Sequence, residues 1–226
     1  MRWLIRGLMA ALVLASIPVF AFEALYQYAL TKIPVLPEPP PPQGTPFIRD
    51  ALWVAEGARG NHVAILWAGN FWNGFPPRWE GNRYAVSTTA RIYASDFVPR
   101  TSKLQWPLKW GATEVWLSRH AGVDDLKREL AAWGYFGRGA RGIDAAAHAW
   151  FCKSADELRL AQIALILGAP QNPGHMEKPE WQRRRIRVVL DALVDGGLVT
   201  SEEANAAANA PLDVFQNVAL PPDPDE

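Results

Sequence analysis

One cysteine and no excess of either charge mark what this 226-residue sequence has little of. A single cysteine excludes an intrachain disulfide and any cysteine-based zinc site. With Lys+Arg 23 and Asp+Glu 23 the formal net charge is zero, which excludes a general nucleic-acid binder, since those are markedly basic. Histidine is also scarce, and His62, His120, His148 and His175 show no metal-ligand spacing. What is abundant is tryptophan, eleven residues. Trp suits carbohydrate platforms and membrane interfaces, because its body is apolar and one end is wet; large cores use it too. The length fits one full domain or two small ones, and such a chain buries roughly 70% of its unfolded surface. The basic residues are rich in Arg, so individual phosphate or carboxylate contacts stay open.

Arg2 and Arg6 precede an apolar stretch from Gly7 to Phe22, and Glu23 ends it. Extended back to Trp3, the run reaches about the 20 residues of a spanning helix. It reads as an uncleaved signal anchor over residues 1–30, a cleaved signal peptide, or a buried helix; Val19-Phe20-Ala21 is a poor cleavage site. Seven of the thirteen residues from Pro34 to Pro46 are proline, so residues 31–46 read as a stiff, extended spacer.

Beyond it the pattern is mostly helical. Phe47 to Gly57 has apolar residues at helical spacing, and Val123 to Trp133 places Leu126 and Leu130 on one face. Gly57 to Asn82 is looser, and Arg83 to Asp96 has an ambiguous period. Ile143 to Phe151 is an Ala-rich helix. Ser154 with Glu157 forms a capping box that is expected to start a helix over Ala155–Leu167. That segment is apolar nearly all round and therefore buried, with Gly168 and Pro170 ending it. Trp181 to Asp195 is amphipathic, and Thr200 with Glu203 is a second capping box. Residues 213–226 form an acidic, Pro-rich tail, disordered from about Ala219.

Gly137-Arg138-Gly139-Ala140-Arg141-Gly142 matches the G-x-G-x-x-G string. The nucleotide reading fails because no strand precedes it and no βαβ unit surrounds it. The same residues belong to a longer pattern. It runs from Tyr135-Phe136-Gly137 through Ile143-Asp144, Trp150-Phe151 and Glu157-Leu158-Arg159-Leu160-Ala161-Gln162 to Gly168-Ala169-Pro170-Gln171-Asn172-Pro173. Arg183-Arg184-Arg185 and Gly197-Leu198-Val199-Thr200 continue it. Over Tyr135 to Leu212 the chain resembles the C-terminal half of the family 51 glycosyltransferases, the peptidoglycan glycosyltransferases. The resemblance implies a mainly α, two-lobed, lysozyme-like transglycosylase domain at 47–212, following an N-terminal transmembrane helix. It implies a single pass through the bacterial inner membrane with the domain on the periplasmic side. The implied partners are lipid II or the peptidoglycan glycan strand, the membrane, and other cell-wall synthesis proteins. It implies no organic cofactor, and allows a divalent cation.

The chemistry implied needs a base on the acceptor's 4-hydroxyl and positive or hydrogen-bonding groups around the departing pyrophosphate. The N-terminal half departs from the family's motifs. Where the family has Glu-Asp-x-x-Phe-x-x-His, this chain has Glu56, Gly57 and Gly60, with His62 one place off. Glu56 is thus the candidate base; the alternative is an exposed Glu at a helix end. Of Gly-Gly-Ser-Thr-Ile-Thr-Gln-Gln, Ser87 and Thr88 survive. Arg91 and Arg100 could serve a pyrophosphate, or be surface arginines. In the third motif the second family Glu falls on Trp110. Glu114, one turn on, is either a displaced second carboxylate or a solvated Glu. Lys103 and Lys109 could offset the missing basic pair. In the fourth motif Arg128 stands for Glu and Ala132 for Asn. Three readings follow: a divergent glycosyltransferase, a non-catalytic relative binding lipid II, glycan or cell-wall partners, and an unrelated tethered helical domain.

Overall fold

The computed structural model describes residues 2–33, 38, 40–63, 65–66, 81–98, 105–171 and 175–215, and about 70% of these described residues are helical. Among these residues the only β pairing is an isolated bridge between Tyr135 and Arg141. The mainly α class expected from the sequence holds. The chain separates into two compact units, each discontinuous: Met1–Pro37 with Val63–Ala121, and Glu38–His62 with Gly122–Glu226.

The first unit holds α1 (Arg2–Leu30), α3 (Asn82–Phe97) and α4 (Gln105–His120). α4 packs on both α3 and α1. The ambiguous stretch from Arg83 is therefore helical. Its Ser, Thr and Val are weak helix formers, but Ala85, Val86, Ser87, Thr88, Thr89 and Ala90 are all buried. Packing supplies what propensity withholds.

The second unit holds α2 (Pro46–Ala55), α5 (Val123–Trp133), α6 (Ile143–Phe151), α7 (Leu160–Gly168), α8 (Pro179–Asp195) and α9 (Ser201–Ala208). Thr45 caps α2, its hydroxyl accepting from the Ile48 amide at 3.2 Å, with Pro46 at the first helical position, where its missing N–H costs nothing. The end of the proline-rich spacer is tied down here. The Gly44 amide donates to Asp144 at 3.0 Å, and Arg49 donates to the Gly44 carbonyl at 2.6 Å. Lys127 bonds Asp50 at 2.7 Å, joining α5 to α2. α7 is buried from Ala161 to its end and packs on α2, α6, α8 and α9, as its all-round apolar sequence requires. Residues 213–215 of the acidic tail are held: Asp213 pairs with Arg159, and the Phe215 amide donates to the Trp150 carbonyl at 2.9 Å. The tail from 216 lies outside the described residues.

One expected boundary is wrong. The Ser154–Glu157 capping box forms, with the Ser154 amide donating to Glu157 at 3.0 Å, but it caps only a 3-10 turn, Ala155–Glu157. Leu158 is extended (φ −72, ψ 134), and α7 starts afresh at Leu160. There the Gln162 side chain accepts from the Arg159 amide at 3.0 Å and donates to the Leu212 carbonyl at 2.9 Å. A fully buried amide thereby finds both partners.

The glycine string at 137–142 serves packing. Gly137 lies at φ 82, and a Cβ there would sit 3.1 Å from the Trp150 ring. Arg138 (φ 52) reaches from this turn to Glu177 through two bonds of 2.8 and 3.0 Å. It also donates to the Phe215 carbonyl at 2.6 Å and lies 4.0 Å from the centre of the Trp150 ring. Arg138→Ala is expected to cost about 1–2 kcal/mol, since it removes the bonds to the half-exposed Glu177 and to the Phe215 carbonyl and the ring contact with Trp150. Arg138→Lys should recover less than half, because an ammonium cannot make the planar two-bond contact. Thermal unfolding of the purified variants measures both.

Candidate active site

α2 ends in a way that explains the broken first motif. The Ala58 amide donates to the Trp53 carbonyl at 3.2 Å, and the Gly57 amide to the Val54 carbonyl at 2.9 Å. With Gly57 at φ 83 this is a Schellman cap, in which the left-handed position favours glycine. An Asp there, as in the family's motif, would be strained. The turn folds back further: the Trp53 indole N–H donates to the Gly60 carbonyl at 3.2 Å, with Gly60 at φ 65. Glu56 is the cap residue of this helix, and it is 2% exposed. The exposed helix-end Glu considered from the sequence is thereby excluded. His62 is exposed.

The first unit gathers most of the remaining described candidates. Ser87 and Thr88 lie on α3, Lys109 and Glu114 on α4, and all four are buried. Several neighbouring hydroxyls are satisfied within their own helices. Thr89 donates to the Ala85 carbonyl and Thr113 to the Lys109 carbonyl, both at 2.9 Å, the local back-bonding that lets such side chains sit inside a helix.

Glu114 is different. It is 4% exposed, and its Oε1 has no hydrogen-bond partner among the described residues. The solvated Glu weighed from the sequence is therefore wrong, because α4 turns this side chain inward. Burial pushes its pKa up to about 7, and the positive charge of Arg83 on α3 opposes that rise. Desolvation dominates because it penalises only the charged form. The result is a carboxyl that gains and loses its proton near neutral pH, the property a general acid or base needs. Arg83 was not singled out from the sequence. Nothing in its spacing to Glu114 shows that α4 lies alongside α3.

Arg91 is on an exposed face of α3, as a surface arginine would be. Arg100 and Lys103 lie outside the described residues, as does the Trp-rich stretch from Trp67 to Trp79. Arg128, which stands in the place of the fourth motif's Glu, pairs with Asp125 one turn earlier on α5. Among the described residues no three His, Cys, Asp or Glu side chains converge to hold a metal ion.

A family model described as Transglycosylase matches residues 133–194. Penicillin-binding protein 1A of Rickettsia felis is 34% identical over 139 residues, 60% of this chain and 17% of that protein. Penicillin-binding protein 1A of Aquifex aeolicus is 36% identical over 83 residues, 35% of this chain and 11% of that protein. Among solved structures, Penicillin-Binding Protein 1A from Haemophilus influenzae matches with a TM-score of 0.37 and 22% identity, over 57% of this chain and 17% of that one. The chain spans less than a fifth of the length of each of these three relatives.

Proposed function

We propose that this chain, whose residues 133–194 match the Transglycosylase family model, is a peptidoglycan glycosyltransferase that extends glycan strands from lipid II. That family segment is the observation that carries the reading. Glu56, retained at the place of the family's catalytic acid and buried, supports it. In the proposed reaction the acceptor's 4-hydroxyl oxygen bonds to C1 of the lipid-linked donor. The bond from C1 to the phosphate oxygen breaks, and the lipid pyrophosphate leaves with the electron pair. The Glu56 carboxylate takes the hydroxyl proton.

The candidates proposed for the leaving pyrophosphate are residues of the first unit. Ser87 and Thr88 offer hydroxyl donors, and Lys109 and Arg91 offer positive charge; Arg100 and Lys103 are proposed for the same role. Glu114 acts in its protonated form, donating a hydrogen bond to a phosphate oxygen that its carboxylate form would repel. α1 crosses the inner membrane once, with Arg2 and Arg6 on the cytoplasmic side and the body of the chain on the periplasmic side.

One observation favours a second reading, in which the chain binds lipid II or glycan as a scaffold for other cell-wall proteins. Trp110 occupies the place of the family's second acid, and Arg128 and Ala132 replace the acid and amide of the fourth motif. Removing a preorganised charge costs about a hundredfold or more in rate, so several such losses would leave binding with little turnover. Full-length protein in detergent, incubated with fluorescent lipid II, separates the two. The proposal predicts a ladder of glycan products on a gel. Bound but unchanged lipid II would support the scaffold, and no binding would overturn both.

A further inference from the structure

Arg183, Arg184 and Arg187 stand on α8, all three exposed, and none of them bonds to another described residue. Arg185, between them in sequence, differs: its Nε donates to the Gly168 carbonyl at 3.3 Å. Helical spacing places the three within about 100° of arc, on one face. Glu180 and Asp191 flank them one turn before and one turn after, and Lys178 is exposed at the N-cap. Cations therefore outnumber acids on this side of the helix start.

The described end of the chain is led to the same place. After α9, residues 211–215 form a strap held along its length. Arg159 donates to the Pro211 carbonyl at 3.0 Å and pairs with Asp213, and the buried Gln162 donates to the Leu212 carbonyl at 2.9 Å. The Phe215 amide donates to the Trp150 carbonyl at 2.9 Å, and Arg138 donates to the Phe215 carbonyl at 2.6 Å. The same Arg138 guanidinium bonds Glu177 at 2.8 and 3.0 Å, just before α8 begins at Pro179. A guanidinium spans only a few ångströms, so the chain leaves the strap beside the start of α8.

Beyond Phe215 the sequence carries Asp223, Asp225 and Glu226 and neither Lys nor Arg. Pro221, Pro222 and Pro224 favour an extended backbone of about 3.1 Å per residue, so Asp223 can reach about 25 Å from Phe215. Arg187 lies only about 12 Å along α8 from Pro179. Such a segment builds no core of its own and orders only against a partner.

We infer that the acidic segment Asp223–Glu226 docks on the exposed arginine face of α8, delivered there by the strap. Each exposed ion pair is weak and screened by salt. The short tether nevertheless keeps these acids at a millimolar effective concentration, so they outcompete dilute anions. A polyanion approaching α8 has to displace this segment first.

The docking is tested with the full chain in neutral detergent, carrying a nitroxide at Pro224→Cys in a Cys152→Ser background. At low salt the label is expected to move slowly. Arg183→Gln, Arg184→Gln and Arg187→Gln together should raise its mobility several-fold. So should about 1 M salt in the parent, where the screening length falls to about 3 Å. Thermal unfolding of the triple variant should match the parent, because the three side chains are exposed. Reversing both partners, Arg183→Glu, Arg184→Glu and Arg187→Glu with Asp223→Lys, Asp225→Lys and Glu226→Lys, should restore slow motion. A label equally mobile in parent and triple variant, or a reversal that restores nothing, would overturn the docking. So would a label that slows only when phosphatidylglycerol vesicles are added, which would give the arginine face to an anionic surface instead.

Discussion

Glu56→Gln is expected to reduce glycan formation from lipid II by about a hundredfold or more, the usual cost of removing a general base. Glutamine keeps the size and one acceptor oxygen of the side chain but cannot take up the proton of the attacking hydroxyl. Lipid II affinity should therefore change little while turnover collapses. The fold should survive as well. Glu56 is buried at the end of α2, and the Schellman cap that shapes this end is made by backbone groups of Trp53, Val54, Gly57 and Ala58. Single-turnover assays with binding measured separately check the first expectation, and thermal unfolding checks the second. Equal glycan yield from both proteins would remove Glu56 from the chemistry.

Glu114→Gln is expected to change the dependence on pH rather than simply lower the rate. In the native protein burial holds the Glu114 pKa at about 7, against an ordinary value of 4.5. The folded state therefore binds this proton more tightly than the unfolded state does. Its contribution to stability is fully present below pH 4.5 and is lost as pH rises through about 7. Across that window the parent should lose up to about 3 kcal/mol relative to Glu114→Gln, whose amide does not titrate. Above pH 8 the variant should be the more stable protein; denaturant unfolding at pH 5 and pH 8.5 reads the difference. Turnover follows the same proton. If protonated Glu114 donates to the leaving phosphate, the parent's rate falls above pH 7, and this alkaline fall disappears in Glu114→Gln, whose amide still donates. Glu114→Ala, which cannot donate, should lose turnover at every pH. An alkaline limb unchanged in Glu114→Gln would show that this carboxyl is buried for structural reasons alone.

These two acids show what a sequence discloses and what it withholds. Helices whose burial follows a simple stripe, α5, α6 and α8, are legible from spacing, and the caps at Thr200 and Glu203 read correctly. α3 is not, because its Ser and Thr residues are poor helix formers that tertiary burial overrides. The start of α7 is missed for a related reason. The Ser154–Glu157 box is real, but Leu158 turns extended so that Gln162 can reach both the Arg159 amide and the Leu212 carbonyl, a partner 50 residues away. In the candidate site, the position of Glu56 is legible from the family's pattern, but its burial is not. The loss of the Asp beside it looks like simple decay until Gly57 is seen at φ 83, ending α2. For Glu114, helical spacing links it to Trp110 one turn earlier. Its burial and its neighbour Arg83 depend on how α4 lies along α3, which no local pattern encodes.

The most direct test of the proposed activity counts its two products together. Purified full-length protein would be given lipid II alone, and the released lipid pyrophosphate and the new glycosidic bonds would be measured over the same interval. They are expected to appear in step, one pyrophosphate for each disaccharide added, and both are expected to fail in Glu56→Gln. Folded protein that retains lipid II yet releases no pyrophosphate, or that releases it without joining sugars, would contradict that activity.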